Sequence, residues 1–267
     1  MCLILTAVDR HPRYSLVLGA NRDEFLDRET AQARFWEDYP QVLAGRDLRG
    51  GGTWMGVTLE GRVCALTNYR DPSSRKEGAP SRGRLVSRFL TGEEPPAAFL
   101  DAVAREGPRY NGFNIIAGLG PEIYWYSNRS GEGALRIPPG VHGISNRLLN
   151  TPWPKVVRGV RGVERLLDVE DDPSPESLFS ILEDRTLPPD RDLPETGVGL
   201  DWERVLSPLH IESPTYGTRS STLLLVERGG RVTFVERTYD RPLPAEPTVS
   251  FSFVLPGPPA GASLSGD

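Results

Sequence analysis

Runs of apolar residues in the first third of the chain predict two β-hairpins. The runs at residues 2–8 and 14–20 are joined by a polar turn, and those at 53–59 and 62–68 are joined by Glu60-Gly61. Because the first run starts at the second residue, we expect the chain to begin inside a β-sheet.

Two pairs of segments carry helical spacing instead. Residues 82–90 and 96–105 form the first pair, and residues 154–169 and 175–183 form the second. In each segment the apolar positions recur three or four residues apart, which is typical of a helix that buries one face.

Strand patterns return between and after the helical pairs. Residues 113–119 and 122–126 predict one hairpin, residues 222–227 and 231–237 predict another, and residues 248–255 add a last strand. Strands and helices that are segregated in this way predict an α+β fold with antiparallel sheets.

The composition fits one globular domain and excludes several classes of protein. The chain has 267 residues, of which 38% are apolar, so we expect one domain over residues 1–255. Residues 256–267 lack bulky side chains apart from Leu264, and we expect a disordered tail. The net charge of −5 argues against a nucleic-acid partner, and no apolar run reaches the roughly 18 residues of a membrane span.

The N-terminal segment and the cysteine content both predict a cytoplasmic protein. Neither a basic leader nor a small-residue cleavage site occurs in MCLILTAVDR. Cys2 and Cys64 are the only cysteines, too few for a disulfide scaffold. Lys76 and Lys155 are the only lysines among 31 basic residues, a bias that is typical of a GC-rich genome and favours a thermophilic source.

Cys2 is the first candidate for chemistry. The residue is small enough for the processing aminopeptidase to remove Met1, which would leave a thiol and a free α-amine on one residue. An α-amine has a pKa of about 7.7–8.0 and can act as general base toward its own side chain. The alternative is a small apolar residue that begins a buried strand.

The tetrapeptide Asn21-Arg22-Asp23-Glu24 ends the second predicted strand, beside the first. Alternation places Asn21 and Asp23 on one face and Arg22 and Glu24 on the other. A carboxylate near the α-ammonium, or an arginine near the thiolate, would tune both groups. The alternative is a turn with solvated charges.

Ten segments in this order resemble the NRDE family, also known as the transport and Golgi organisation protein 2 family. They are Met1-Cys2, NRDEF at 21–25, AGRD at 44–47, GGTWMG at 51–56, LTNYRDP at 66–72, SRG at 81–83, YNGFN at 110–114, GVHGISN at 140–146, TPWPKV at 151–156 and YGTRSSTLLL at 216–225. The family is similar in turn to the N-terminal-nucleophile hydrolases of the choloylglycine and penicillin V acylase group. That resemblance implies a four-layer αββα sandwich of two antiparallel sheets and cleavage of an amide bond in a small non-peptide substrate.

The resemblance also implies site residues. The implied catalytic residues are Cys2, Arg22, Asp23, Asn68, Asn146 and Arg219, and we expect Asn21, Trp54 and Tyr69 to contact the substrate. Cys2 would be the nucleophile, Asn68 would donate to the oxyanion, and Asn146 would orient the α-amine or the tetrahedral intermediate. Asn150, which precedes Thr-Pro as an asparagine does in the acylases, is a rival to Asn146.

One feature departs from the acylases, which separate their arginine and aspartate by two residues. Arg22 and Asp23 are adjacent, so a regular strand points them to opposite faces. Either one of them, or Asn21 with Asp23, can face the thiol, and we favour Asp23 over Arg22.

A non-catalytic carrier is the alternative function. Members of the family are implicated in haem trafficking and in acyl-CoA or lipid homeostasis, and a hydrolase-like cleft can hold an apolar ligand without cleaving it. His142 or Cys2 would be the axial ligand of a haem. The hydrolase requires no cofactor, and the three histidines lack metal-binding spacing.

Overall fold

Thirteen strands and five α-helices occur in residues 2–120, 122–240 and 242–256, which a computed structural model describes. The strands are β1 (Cys2–Val8), β2 (Tyr14–Phe25), β3 (Thr30–Phe35), β4 (Val42–Asp47), β5 (Met55–Thr58), β6 (Arg62–Asn68), β7 (Phe113–Leu119), β8 (Glu122–Ser127), β9 (Leu135–Arg136), β10 (Gly140–Ile144), β11 (Tyr216–Glu227), β12 (Arg231–Thr238) and β13 (Thr248–Val254). The helices are α1 (Gly83–Thr91), α2 (Pro96–Glu106), α3 (Pro154–Val169), α4 (Pro175–Leu182) and α5 (Leu200–Val205). Apart from Pro256, the predicted disordered tail lies outside the described residues.

The strands form two antiparallel sheets. The first sheet has the order β10-β1-β2-β11-β12-β13, and the second sheet runs from β3 to β9 in chain order. The two hairpins predicted for the first third of the chain are confirmed as β1–β2 and β5–β6, one in each sheet. The start of the chain therefore lies in the interior of the first sheet, between β10 and β2.

Three apolar layers hold the molecule together. Ile4, Leu18 and Leu43 belong to the core between the two sheets. On the outer face of the first sheet Leu5 packs with residues of α3 and α4, and on the outer face of the second sheet Phe113 packs with residues of α1 and α2. The layers thus follow the order helix, sheet, sheet, helix, and the predicted α+β four-layer sandwich is confirmed. Each sheet is buried on both faces, which explains why its central strands appear as continuous apolar runs.

Four strands and two extensions lack a counterpart in the sequence patterns. β3, β4, β9 and β10 are new, while β2 continues to Phe25 and β11 begins already at Tyr216. β2 stays regular through its polar tetrapeptide because β1 and β11 pair with it on both sides. The interpretation of that tetrapeptide as a solvated turn is therefore wrong. Among the described residues, no helix has the length and apolarity that a membrane crossing requires.

Candidate active site

Cys2 is the first residue of β1 and stands directly opposite Arg22 of β2. Opposed residues of an antiparallel pair project to the same face of the sheet. Ile4, two residues further along β1, packs in the core between the sheets, so Cys2 and Arg22 also point to the layer between the sheets. The preference for Asp23 over Arg22 as the residue that faces the thiol is corrected by this register.

A pocket of about 410 Å³, the Cys2 pocket, opens where β1 begins and where β2 and β6 end. The residues that line it on or beside the strands include Cys2, Arg22, Asp23, Glu24, Arg28, Asp47, Trp54 and Asn68, and those before and at the start of α1 include Arg75, Ser81, Arg82 and Gly83. Five of the predicted site residues, Cys2, Arg22, Asp23, Asn68 and Trp54, are therefore brought to one cavity. Most of the wall is polar or charged.

Asp47 and the glycines after it shape one wall of the Cys2 pocket. The Asp47 carboxylate accepts hydrogen bonds from the Arg28 guanidinium at 2.7 Å and from the backbone N–H of Gly50 at 3.0 Å. Gly51 has a φ of +69°, and a Cβ on Gly52 would lie 2.4 Å from the carbonyl carbon of Gly83. Only glycine allows that approach, which places the start of α1 against the turn before β5.

Arg22 is 5% exposed, and its guanidinium carbon lies 4.4 Å from the ring centroid of Trp54. Its Nη1 atom is buried and has no hydrogen-bond partner among the described residues. Burial lowers the pKa of Arg22, because the charged form loses its water. Trp54 thus provides the flat face on which a desolvated cation is held beside Cys2.

Asp23 points to the opposite face of β2, where its carboxylate accepts a hydrogen bond of 2.7 Å from the Thr218 hydroxyl. The Tyr216 hydroxyl donates to the Asp23 backbone carbonyl at 2.9 Å. Burial raises the pKa of Asp23, while the nearby Lys155 ammonium and the Thr218 hydrogen bond act in the other direction. Asp23 therefore sits at the boundary between the Cys2 pocket and a buried polar region behind it.

Asn68 ends β6, and its side-chain carboxamide has no hydrogen-bond partner among the described residues. Its backbone carbonyl accepts a hydrogen bond of 2.9 Å from the Asn146 carboxamide. Asn146 is fully buried and does not line the Cys2 pocket, so it fixes the backbone of Asn68 from behind. The Asn68 amide is thereby left available to a ligand in the pocket.

A buried ion pair that sequence reasoning missed continues this arrangement. The Arg70 guanidinium donates to the Glu203 carboxylate at 2.6 Å and to the Asn146 side-chain oxygen at 3.2 Å. Glu203 also accepts from the backbone N–H of Thr196 at 2.8 Å. Arg70 thus orients the Asn146 carboxamide so that its N–H group meets Asn68. The two ends of the pair are 133 residues apart in sequence, and no pattern links them.

Lys155 also was not identified as a site residue from the sequence, although its spacing along the helix indicates that it is buried. It lies on the buried face of α3 with Gly159, Val163 and Leu167, at intervals of four residues. Its ammonium donates to the Leu206 carbonyl at 2.9 Å, and burial lowers its pKa to about 8, although Asp23 acts in the opposite direction. A lysine in phase with apolar positions of a helix indicates a buried cation, here close to Asp23.

The Cys2 thiol is not activated by its surroundings alone. Burial raises its pKa, and the Asp23 carboxylate adds to that effect, while Arg22 acts against it. A thiol with a raised pKa is protonated at neutral pH, so nucleophilic attack requires a base that takes the proton. Cys64, the other free cysteine, is fully buried in the core under α1 and α2, where burial also raises its pKa.

Arg219 is not brought to the Cys2 pocket. Thr218 pairs with Asp23 and Ser220 with Arg22, so Arg219 is the extra residue of a β-bulge in β11. Its guanidinium pairs with Asp240 and donates to the Phe25 carbonyl at 2.8 Å. It lines a second pocket, of about 230 Å³, which shares Arg22 and Trp54 with the Cys2 pocket.

Four further candidates also lie away from the Cys2 pocket. Asn21 is fully buried toward the helices, and Tyr69 packs under Arg147, whose guanidinium carbon is 5.0 Å from its ring centroid. Asn150 has a φ of +58°, and its carboxamide bonds to the backbone N–H of Gly143 and to His142 Nδ1. His142 Nε2 lies 2.9 Å from the Pro138 carbonyl, so both ring nitrogens are engaged and neither is open to a haem iron.

The order of the four layers is that of the N-terminal-nucleophile hydrolase fold. An N-acylethanolamine-hydrolyzing acid amidase (NAAA) ortholog from Caenorhabditis elegans matches with a TM-score of 0.52 and 12% identity, covering 84% of this chain and 92% of that chain. A penicillin V acylase from Agrobacterium tumefaciens has a TM-score of 0.46 and 10% identity, covering 95% of this chain and 86% of that chain.

The chain belongs to the Transport and Golgi organisation 2 family, whose model matches residues 1–241. The Transport and Golgi organization protein 2 homolog of Bos taurus is 36% identical, with coverage of 89% of this chain and 93% of that protein. Both resemblances drawn from the sequence motifs are confirmed.

Proposed function

We propose that this chain is a cytoplasmic N-terminal-nucleophile cysteine hydrolase that cleaves a small non-peptide amide, with Cys2 as the nucleophile after removal of Met1. The observation that carries the proposal is the placement of Cys2 at the start of β1, opposite Arg22 and within the same pocket as Asn68. The fold is compatible with this chemistry but does not by itself imply it.

The raised pKa of Cys2 determines what the reaction needs. The freed α-amine of Cys2 takes the thiol proton, and the thiolate sulfur bonds to the carbonyl carbon of the substrate. The Asn68 carboxamide donates to the developing oxyanion, a contribution that is typically worth about a hundredfold or more in rate. The C–N bond then breaks, the amine leaves with the proton, and water releases the acid from the thioester.

The carrier alternative is less well supported by the site. An apolar ligand would have to displace water from a wall that includes Arg22, Arg82 and Asp47. His142 has both ring nitrogens engaged, and a protonated thiol is a poor ligand for haem iron.

The test uses an activated acyl ester that labels reactive thiols, with the site of labelling identified by peptide mass spectrometry. Purified protein should lack Met1, and the ester should acylate Cys2 and not Cys64. Cys2→Ala should abolish both acylation and turnover while leaving the fold intact. Cys2→Ser should also abolish turnover. Cys64→Ala is the matched control, and it should react as the parent protein does.

A second variant separates the thiol from the α-amine. Insertion of one alanine before Cys2 keeps the thiol in place but moves the free amine to another residue. We expect this variant to fold and to lose acylation at pH 7 by at least about a hundredfold, the lower range for a positioned base. Acylation unchanged in the insertion variant, or turnover unchanged in Cys2→Ala, would sink the proposal.

A further inference from the structure

The acidic groups of the Cys2 pocket are already occupied. Asp47 accepts from Arg28 at 2.7 Å, and Glu24 lies 3.8 Å from the same guanidinium and accepts from the backbone N–H of Phe25 at 3.0 Å. Asp23 accepts from Thr218 on the far face of β2. Each acid that lines the pocket thus has a hydrogen-bond donor among the described residues.

Three arginines of the pocket lack such a neighbour. Among the described residues, Arg22, Arg75 and Arg82 have no carboxylate within 4.0 Å. Arg82 donates one hydrogen bond of 2.8 Å to the Gly112 carbonyl, and burial lowers its pKa, as it does for Arg22. A desolvated guanidinium without an anion is costly, and its cost falls when an anionic ligand binds.

Arg22 and Arg82 both line the Cys2 pocket, close enough to Cys2 for its charge to act on the pKa of each. One donor of Arg22, the buried Nη1, has no partner among the described residues. The backbone N–H groups of Arg84 and Leu85 in the first turn of α1 already bond to carbonyls of the preceding turn, so the positive charge of this wall comes from the arginine side chains.

We propose that Arg22 and Arg82 form a subsite for one anionic group, a carboxylate or a phosphate, within the Cys2 pocket. The subsite would bind the anion whether or not Cys2 reacts. Combined with the proposed function, on which this last step rests, it defines the substrate class as anionic amides.

The experiment measures saturable binding of inorganic phosphate and, separately, of acetate to the full chain by isothermal titration calorimetry, with chloride added to keep the ionic strength constant. Slowed alkylation of Cys2 by iodoacetamide, read by peptide mass spectrometry, locates the bound anion. The stronger of the two anions identifies the group. We expect Arg82→Gln to weaken its binding by at least about tenfold, the loss of one charge-assisted hydrogen bond.

Arg84→Gln is the matched control, because Arg84 is the next arginine of α1, is exposed and does not line the pocket. It should bind the anion as the parent protein does, and Arg82→Lys, which keeps the charge, should bind better than Arg82→Gln. Equal affinity in Arg82→Gln and Arg84→Gln, or no saturable binding of either anion, overturns the subsite. Anion binding that persists in Cys2→Ala separates the two proposals, since failure of acylation alone contradicts only the hydrolase.

Discussion

Asn21 and Arg22 are neighbours in β2, yet their surroundings differ in kind. On the helix side of β2 the Asn21 carboxamide donates to the Leu182 and Leu209 carbonyls at 2.8 and 2.9 Å and accepts from the Ser221 hydroxyl at 2.6 Å. On the pocket side Arg22 keeps a donor without a partner among the described residues. One short motif therefore combines a closed structural face with a face that is open to a ligand.

The largest expected change in stability comes from Asn21, on the helix side of β2. Asn21→Leu keeps the approximate shape but leaves two carbonyls and a hydroxyl buried without their partner. We expect a loss of about 3–5 kcal/mol in the free energy of unfolding, measured by urea denaturation. Glu24→Gln, at the solvent end of the same strand, is the control and should change stability by less than about 0.5 kcal/mol. A loss below about 1 kcal/mol in Asn21→Leu would contradict the conclusion that the hydrogen bonds of Asn21 are structural.

A smaller, pH-dependent effect concerns Glu236 of β12. Together with Arg22, this residue lines the second pocket. Its carboxylate accepts from the Ala33 backbone N–H at 2.7 Å, but burial raises its pKa to about 7. Because the folded state holds this proton more tightly than the unfolded chain, the contribution of Glu236 to the free energy of unfolding is greatest below pH 4.5 and falls as the pH rises to about 7.

Glu236→Gln mimics the protonated form and removes this loss. Above pH 7 we expect the variant to be more stable than the parent protein by on the order of 2–3 kcal/mol. The difference should vanish below about pH 4.5. Urea denaturation at pH 4, 6 and 8 measures it, and parallel pH profiles for the two proteins would show that Glu236 does not titrate in this range.

The smallest expected change in stability comes from Arg22, on the pocket side of β2. Arg22→Met removes a desolvated charge that has no carboxylate partner, so the gain nearly offsets the lost contact with Trp54. We expect the free energy of unfolding to change by less than about 1 kcal/mol, while phosphate binding weakens. A loss of several kcal/mol would mean that Arg22 is part of the structural network and not of the ligand-facing wall.

Most of the fold could be predicted from the sequence because its central strands and helices have strong local patterns. β1, β6 and β7 are predominantly apolar runs, and α3 has a regular buried face. β3 could not be predicted in the same way. Its TAQARF sequence is short and mixed, and its pairing with β4 is interrupted by an irregular register between Ala31 and Arg34.

Some residues of the candidate site could likewise be predicted from the sequence, and others could not. Cys2 could be predicted from its position directly after Met1, and Asn68 from the resemblance of its motif to the acylases. Arg219 was expected at the site from that resemblance alone, and a bulge in β11, which no sequence pattern indicates, takes it to the second pocket. The contact between Arg70 and Glu203 depends on how α5 packs, which no local pattern contains.

The close approach of Gly52 to Gly83 has a consequence for how this pocket can diversify. Its outline on that side is set by main-chain atoms, where any added side chain would collide. The positive charge of the pocket, in contrast, comes from the arginine side chains that line it. Ligand preference can therefore drift through exchanges at the arginine positions while the cavity keeps its size and form.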